Sequence, residues 1–185
     1  MKRAYEINIK LLSALHINSG VDSDGTRIFV ACDGKPYIPA TLIKGIARDN
    51  FERLLKTFSN EYKLDNCDDV VSNIFGKEGF QKSRIIFDNL YTKTENEVET
   101  DTRVNVSINR YTRKANDGAL VFSKTVSPFD KQQNNICFNG EFTLYSNNEK
   151  YIELLKKAIE MISCIGSGKS RGLGFVEVKV SEKNS

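Results

Sequence analysis

The sequence has no tryptophan, three prolines and a single histidine, His16. Its four cysteines, Cys32, Cys67, Cys137 and Cys164, include no Cys-x-x-Cys pair. A zinc site of paired cysteines and histidines is therefore excluded, and isolated thiols fit a reducing cytoplasm. No apolar run approaches the roughly 20 residues that span a bilayer, so no membrane partner is expected. The N-terminus, Met1-Lys2-Arg3-Ala4-Tyr5-Glu6, passes straight into an alternating pattern without an apolar core segment, so no secretory signal is expected. A dominant charge is missing too. The 27 Lys and Arg against 24 Asp and Glu leave a net +3, which excludes a polycation that grips nucleic acid by bulk charge. Local basic patches remain available, and phosphate binding needs only those.

What is present suits a soluble globular protein: 39% hydrophobic and 28% charged residues in 185, a length that predicts one domain over 1–185. Tyr5, Ile7, Ile9 and Leu11 alternate with polar residues and predict a strand. A Gly/Asp/Ser-rich stretch over 18–25 reads as loop, followed by a short strand at 27–30. A helix is expected from Thr41 as N-cap, with Ile43, Ala47, Phe51, Leu54 and Phe58 on one stripe. A short helix over 68–75 would be capped by Asp68 and closed by Gly76. Strands follow at 84–91 and 136–144, the latter with Gly140 marking a bulge. A second long helix spans 149–163, and the last strand 174–180.

The core order β-α-β-β-α-β predicts an α+β fold of ferredoxin-like (RRM-like) type, a four-stranded antiparallel sheet with two helices on one face. The polar, partly alternating region at about 92–135 interrupts it and reads as a protruding β-hairpin. A connection that long is usually functional. Lys183 falls in a terminal tail expected to fray.

Two segments carry chemistry. The first is Gly166-Ser167-Gly168-Lys169-Ser170-Arg171-Gly172-Leu173-Gly174, with four glycines in nine residues. Glycine lets backbone N–H groups approach phosphate oxygens, Lys169 adds a point charge and Arg171 a planar fork. A Walker phosphate loop, a plain glycine turn and an RNA-backbone clamp all draw on these residue types. A Walker loop requires glycine where Ser163 stands, and it follows a strand rather than a helix. The second segment runs from Lys35 to Arg48. Pro36 and Pro39 stiffen the entry to the helix, and Lys44 and Arg48 lie one turn apart, either as a phosphate grip or as an ordinary solvated face.

Ile38-Pro39-Ala40-Thr41-Leu42-Ile43-Lys44-Gly45, followed by Arg48, resembles the Ile-Pro-Gly-Ser-Ser-Leu-Lys-Gly…Arg motif of the RAMP superfamily of CRISPR-associated proteins. The loop over 166–174, ending Ser170-Arg171-Gly172-x-Gly174, is similar to that superfamily's C-terminal glycine-rich loop. Ile74-Phe75-Gly76 and Arg84-Ile85-Ile86-Phe87-Asp88 also resemble its patterns, and 103–126 resembles the thumb hairpin of type III effector backbone subunits. Ala40, Thr41 and Leu42 depart from Gly-Ser-Ser, which removes one flexible position and one hydroxyl.

The resemblance implies a subunit that binds a crRNA guide and target RNA beside other effector subunits and copies of itself or paralogues. It implies RNA contacts at Lys44, Arg48, Gly166, Gly168, Lys169, Ser170, Arg171 and Gly172. In the thumb the implied contacts are Arg103, Arg110, Tyr111 and Arg113. It also implies an aspartate that cuts target RNA with Mg2+ or another divalent metal, best matched by Asp24 and next by Asp22. Asp22-Ser23-Asp24-Gly25 is equally an ordinary turn sequence. A scaffold without catalysis, and a guide-processing endoribonuclease with His16 as general base, are the alternatives.

Overall fold

A computed structural model describes residues 2–22, 25–30, 34–58, 66–79, 81–92, 98–145 and 151–183. The chain is a mixed α/β structure whose two sheets are mostly antiparallel. The larger is built on β1 (Lys2–Leu11), which pairs antiparallel with β9 (Cys137–Tyr145) on one side and β10 (Val176–Glu182) on the other. Beyond β9 lie β5 (Ile85–Phe87) and β6 (Leu90–Thr92), and β4 (Tyr37–Ile38) pairs with β6 at the edge. The order is β10-β1-β9-β6-β4, with β5 also on β9.

The alternation seen in the sequence sets the faces. Tyr5, Ile7, Ile9 and Leu11 are buried with Phe138, Phe142 and Leu144 across the pairing. Helices α1 (Ala40–Thr57) and α3 (Ile152–Glu160) cover that face. The ammonium of Lys156 on α3 stands 5.2 Å from the ring centre of Tyr5, and the Asn50 amide on α1 donates to the Ala158 carbonyl at 3.0 Å. The short α2 (Cys67–Phe75) adds Val71, Ile74 and Phe75 to the core. No helix among the described residues is long and apolar enough to cross a membrane.

Several expectations shift. α1 begins at Ala40, and Thr41 does not cap it. The Asn89 side chain accepts the Ala40 N–H at 2.9 Å instead, a donor–acceptor match between residues 49 apart in sequence. Leu55 replaces Leu54 and Phe58 in the buried stripe, because three steps of four from Ile43 end at Leu55. Asn66, not Asp68, caps α2, accepting the Asp68 N–H. The strand expected at 84–91 breaks in two. Phe87 pairs with Phe142 and Tyr91 with Asn139, so three residues on one strand face two on the other. The bulge thus lies opposite Gly140 rather than at it. Gly140 is needed because a Cβ there would come within 2.8 Å of Leu90 Cγ and 3.1 Å of the Asn89 carbonyl oxygen.

The larger departure is a second sheet, β2 (Asn18–Asp22), β3 (Gly25–Ile28), β8 (Ala115–Val126) and β7 (Thr100–Ile108), in the order β2-β3-β8-β7. The stretch over 18–25 expected as loop is largely strand. β3 joins β8 in parallel at Thr26 and Ser123, a pairing between residues far apart in the chain that local composition does not signal. Lys183 is not frayed: its ammonium pairs with the Glu141 carboxylate and its N–H donates to the Ala4 carbonyl at 3.1 Å.

Gly140→Ala should therefore destabilise the protein by about 1–3 kcal/mol, as expected for overpacking against a fixed backbone. Urea unfolding midpoints check this, and an unchanged midpoint would show that the bulge yields.

Candidate nucleic-acid interface

After Leu11 the chain leaves the sheet and becomes the hub of the site. The Ala14 carbonyl accepts the Gly174 N–H at 2.8 Å, and the His16 carbonyl accepts the Ser167 N–H at 2.9 Å. Leu15 exchanges both backbone hydrogen bonds with Val126 at the root of β8, at 2.9 and 2.8 Å. The His16 ring adds a contact of its own, Nδ1 to the Lys124 carbonyl at 2.7 Å. Residues 14–16 therefore tie the glycine loop to the base of the β7–β8 hairpin.

The glycines of the loop divide by purpose. All four have φ between 75° and 83°. A Cβ on Gly166 would sit 2.3 Å from the His16 carbonyl oxygen, and one on Gly174 would sit 1.9 Å from that of Ile165. These two glycines let the protein pack on itself. At Gly172 nothing lies within 4 Å, and at Gly168 the nearest atoms belong to the Leu173 side chain, from 2.8 Å. Between them Lys169–Arg171 form a single 3₁₀ turn flanked by left-handed Gly168 and Gly172.

The loop's N–H groups are not all open to a ligand, as the glycine content suggested. Those of Ser167, Arg171, Gly172, Leu173 and Gly174 donate to protein carbonyls. The N–H groups of Gly168, Lys169 and Ser170 have no acceptor among the described residues. The loop therefore presents three consecutive donors and the exposed side chains of Lys169, Ser170 and Arg171.

Across from this tip lies one face of the hairpin. Arg103, Asn105 and Ser107 of β7 and Ala119, Val121 and Ser123 of β8 close a groove of about 560 Å³ with His16, Gly168 and Arg171. Arg171 Nη1 donates to Asn105 Oδ1 at 3.2 Å across it. The fold thus gathers Arg103, Gly168 and Arg171 of the sequence-predicted residues, and adds His16 and Asn105. Neither addition had a local signal as a groove residue, since both are placed by the pairing of distant segments.

The other predicted residues lie elsewhere. Arg110, Tyr111 and Arg113 form the hairpin tip with Lys114. There the Asn109 side chain accepts the N–H groups of Tyr111 and Thr112 at 2.9 and 3.1 Å, and Arg113 takes a left-handed φ of 54°. Tyr111 is 97% exposed. Lys44 and Arg48 share one face of α1 and do not line the groove. Burial, and then the charge of Arg48, lowers the Lys44 pKa below the ordinary lysine value. Asp22 ends β2 and pairs with Gly25, while Asp24 lies outside the described residues. Among the described residues no three His, Cys, Asp or Glu side chains converge on a metal site.

Gly166→Ala and Gly174→Ala should both destabilise the chain more than Gly172→Ala. The last meets no neighbour and carries only the left-handed backbone penalty of about 1–2 kcal/mol. Thermal unfolding of the three variants gives the ranking, and equal losses would refute the division of the loop.

Three comparisons with known proteins bear on this arrangement. No curated protein matches the chain. Among solved structures, a chain of the cryo-EM structure of the Type III-B Cmr-beta bound to cognate target RNA is similar, with a TM-score of 0.69 at 17% identity. The match covers 98% of this chain and 60% of that one, so this chain spans less than two thirds of its neighbour's length. That likeness concerns the fold. The model of the RAMP superfamily matches residues 8–177, which takes in both helix-entry and glycine-loop motifs and the hairpin between them. The chain belongs to the RAMP superfamily.

Proposed function

We propose that this protein is a backbone subunit of a type III CRISPR RNA-guided effector complex, binding crRNA along the groove and cutting target RNA paired to it. The observation that carries this reading is the groove itself. The Gly168 N–H, with no acceptor among the described residues, and the Arg171 side chain line it opposite a hairpin wall holding Arg103, and Lys169 and Ser170 are exposed beside them on the same loop. Its volume is in the range of pockets that take one small molecule. It suits a single strand threaded nucleotide by nucleotide, held by its backbone. The assembly containing the similar chain is bound to target RNA, which supports the same class of ligand here.

The sheet order supports reading the core as ferredoxin-like within one domain over 1–185. The β7–β8 hairpin would be its thumb, inserted at about 92–135. Val104 and Val106 face Phe122 and Leu120 across the hairpin, and all four are exposed with Ile108, Val106 also bordering the groove. Such a ribbon suits burial against neighbouring subunits, whether copies, paralogues or other effector proteins. Arg110, Tyr111, Arg113 and Lys114 at its tip would meet the RNA, with Tyr111 as a stacking ring. Lys44 and Arg48 would serve a separate stretch of backbone.

For cleavage we assign Asp24, with Asp22 beside it in sequence. Magnesium ordinarily takes one or two carboxylates and completes its shell with phosphate oxygens and water. Two aspartates plus the bound RNA would be a sufficient donor set, and the cation would neutralise charge at the scissile phosphate. The chain's own part is to hold the strand so that a 2′-hydroxyl lines up with its neighbouring phosphate.

Two measurements test this. Arg171→Ala should weaken binding of single-stranded RNA about 10- to 100-fold, the worth of a charge-assisted hydrogen bond, and lower the log–log salt slope by about 0.7. Lys183→Ala, whose charge is already paired with Glu141, should leave binding unchanged. Equal losses in fluorescence anisotropy titrations would count against the loop. In the assembled complex, Asp24→Ala should abolish metal-dependent cutting of target RNA while RNA binding persists. Undiminished cutting would remove Asp24 from the mechanism, and a wild-type complex that never cuts would leave a scaffold.

A further inference from the structure

His16 lines the groove with a ring whose chemistry the RNA reading has not used. It is only 8% exposed, and it is fixed from two sides. Its carbonyl oxygen accepts the Ser167 N–H at 2.9 Å, and its ring Nδ1 meets the Lys124 carbonyl at 2.7 Å. A carbonyl oxygen can only accept, so Nδ1 must carry the proton. In the neutral ring Nε2 is then a lone-pair acceptor. Nε2 has no hydrogen-bond partner among the described residues.

The charged side chains lining the groove, Arg103 and Arg171, offer only donors. Phosphate oxygens satisfy donors and cannot pair with Nε2. Along a sugar–phosphate chain the one backbone group that can donate is the ribose 2′-hydroxyl, which is also the group that separates RNA from DNA.

We infer that His16 makes the groove selective for ribose, Nε2 accepting a hydrogen bond from one 2′-hydroxyl of the bound strand while Nδ1–H stays on the Lys124 carbonyl. This rests on the RNA-binding reading above. It adds a specificity-determining residue that acts by recognition, without bond making or breaking.

The test compares the full chain's affinity for three single strands of one sequence: RNA, the 2′-fluoro analogue and DNA. The 2′-fluoro strand removes the donor while keeping an electronegative 2′ substituent. Wild type should bind RNA about three- to tenfold tighter than the 2′-fluoro strand, the worth of one neutral hydrogen bond. His16→Asn replaces the ring by an amide that can still donate to the Lys124 carbonyl but has no Nε2. It should bind the two strands equally. His16→Phe gives a second variant with the same expected loss of preference. Retained preference in both variants, or no preference in wild type, overturns the assignment. RNA cutting in EDTA that His16→Asn abolishes would make His16 a general base and also overturn it. Failure of wild type to bind any of the strands would overturn the RNA reading itself, a result distinct from binding without preference.

Discussion

The site depends on two places where main chain meets main chain too closely for any side chain. The α-carbon of Gly166 lies against the His16 carbonyl, and that of Gly174 against the carbonyl of Ile165. Those approaches let the segment after β1 run between the glycine loop and the hairpin root and bond to both. Ala14 and His16 accept from the loop, while Leu15 and the His16 ring bind β8. A larger residue at either glycine would push the loop away from this segment and widen the groove that both walls define. The loop's rigidity at its ends is what leaves its middle, Gly168 to Gly172, free to project.

The hairpin poses the opposite problem. Two strands alone are marginal in water, and β7 is exposed along almost its whole length. Its order comes from its root, where Val126 is buried, Thr125 Oγ1 donates to the Asp101 carbonyl at 3.3 Å, and β3 adds a third strand beside β8. From that anchored base the ribbon extends with two unlike faces. The one carrying Arg103, Asn105 and Ser107 turns to the loop, and Val104 lies on the other, although Val106 also borders the groove. Alternation at period two is what lets a single strand serve a polar groove and an apolar contact surface at once.

How much of this was legible in the sequence follows from the range of each interaction. The β1 alternation and the stripe Ile43, Ala47 and Phe51 report faces directly, because burial on one side repeats at the period of the element itself. The glycine loop was legible as a special backbone for the same local reason. The α1 cap was misassigned because its acceptor, Asn89, comes from another strand and outcompetes the local hydroxyl. β2 was hidden because Asn, Ser, Gly and Asp signal turns, and only its pairing with β3, itself joined to β8, holds it extended. Gly140 pointed to a bulge but not to which strand carries it. That choice depends on Asn89 and Leu90 opposite.

The sequence by itself determined which residues turn inward along the main elements, and that a glycine-rich basic loop precedes the last strand. These follow from hydrophobic periodicity and from steric rules that act within a few residues. Only the tertiary structure decided that Gly166 and Gly174 serve packing and Gly168 and Gly172 the open tip. It alone brought Arg103, Asn105, His16 and Arg171 around one groove. Those facts depend on segments separated by about 20 to 150 positions, and a contact between distant residues leaves no period or spacing in the sequence for local rules to read.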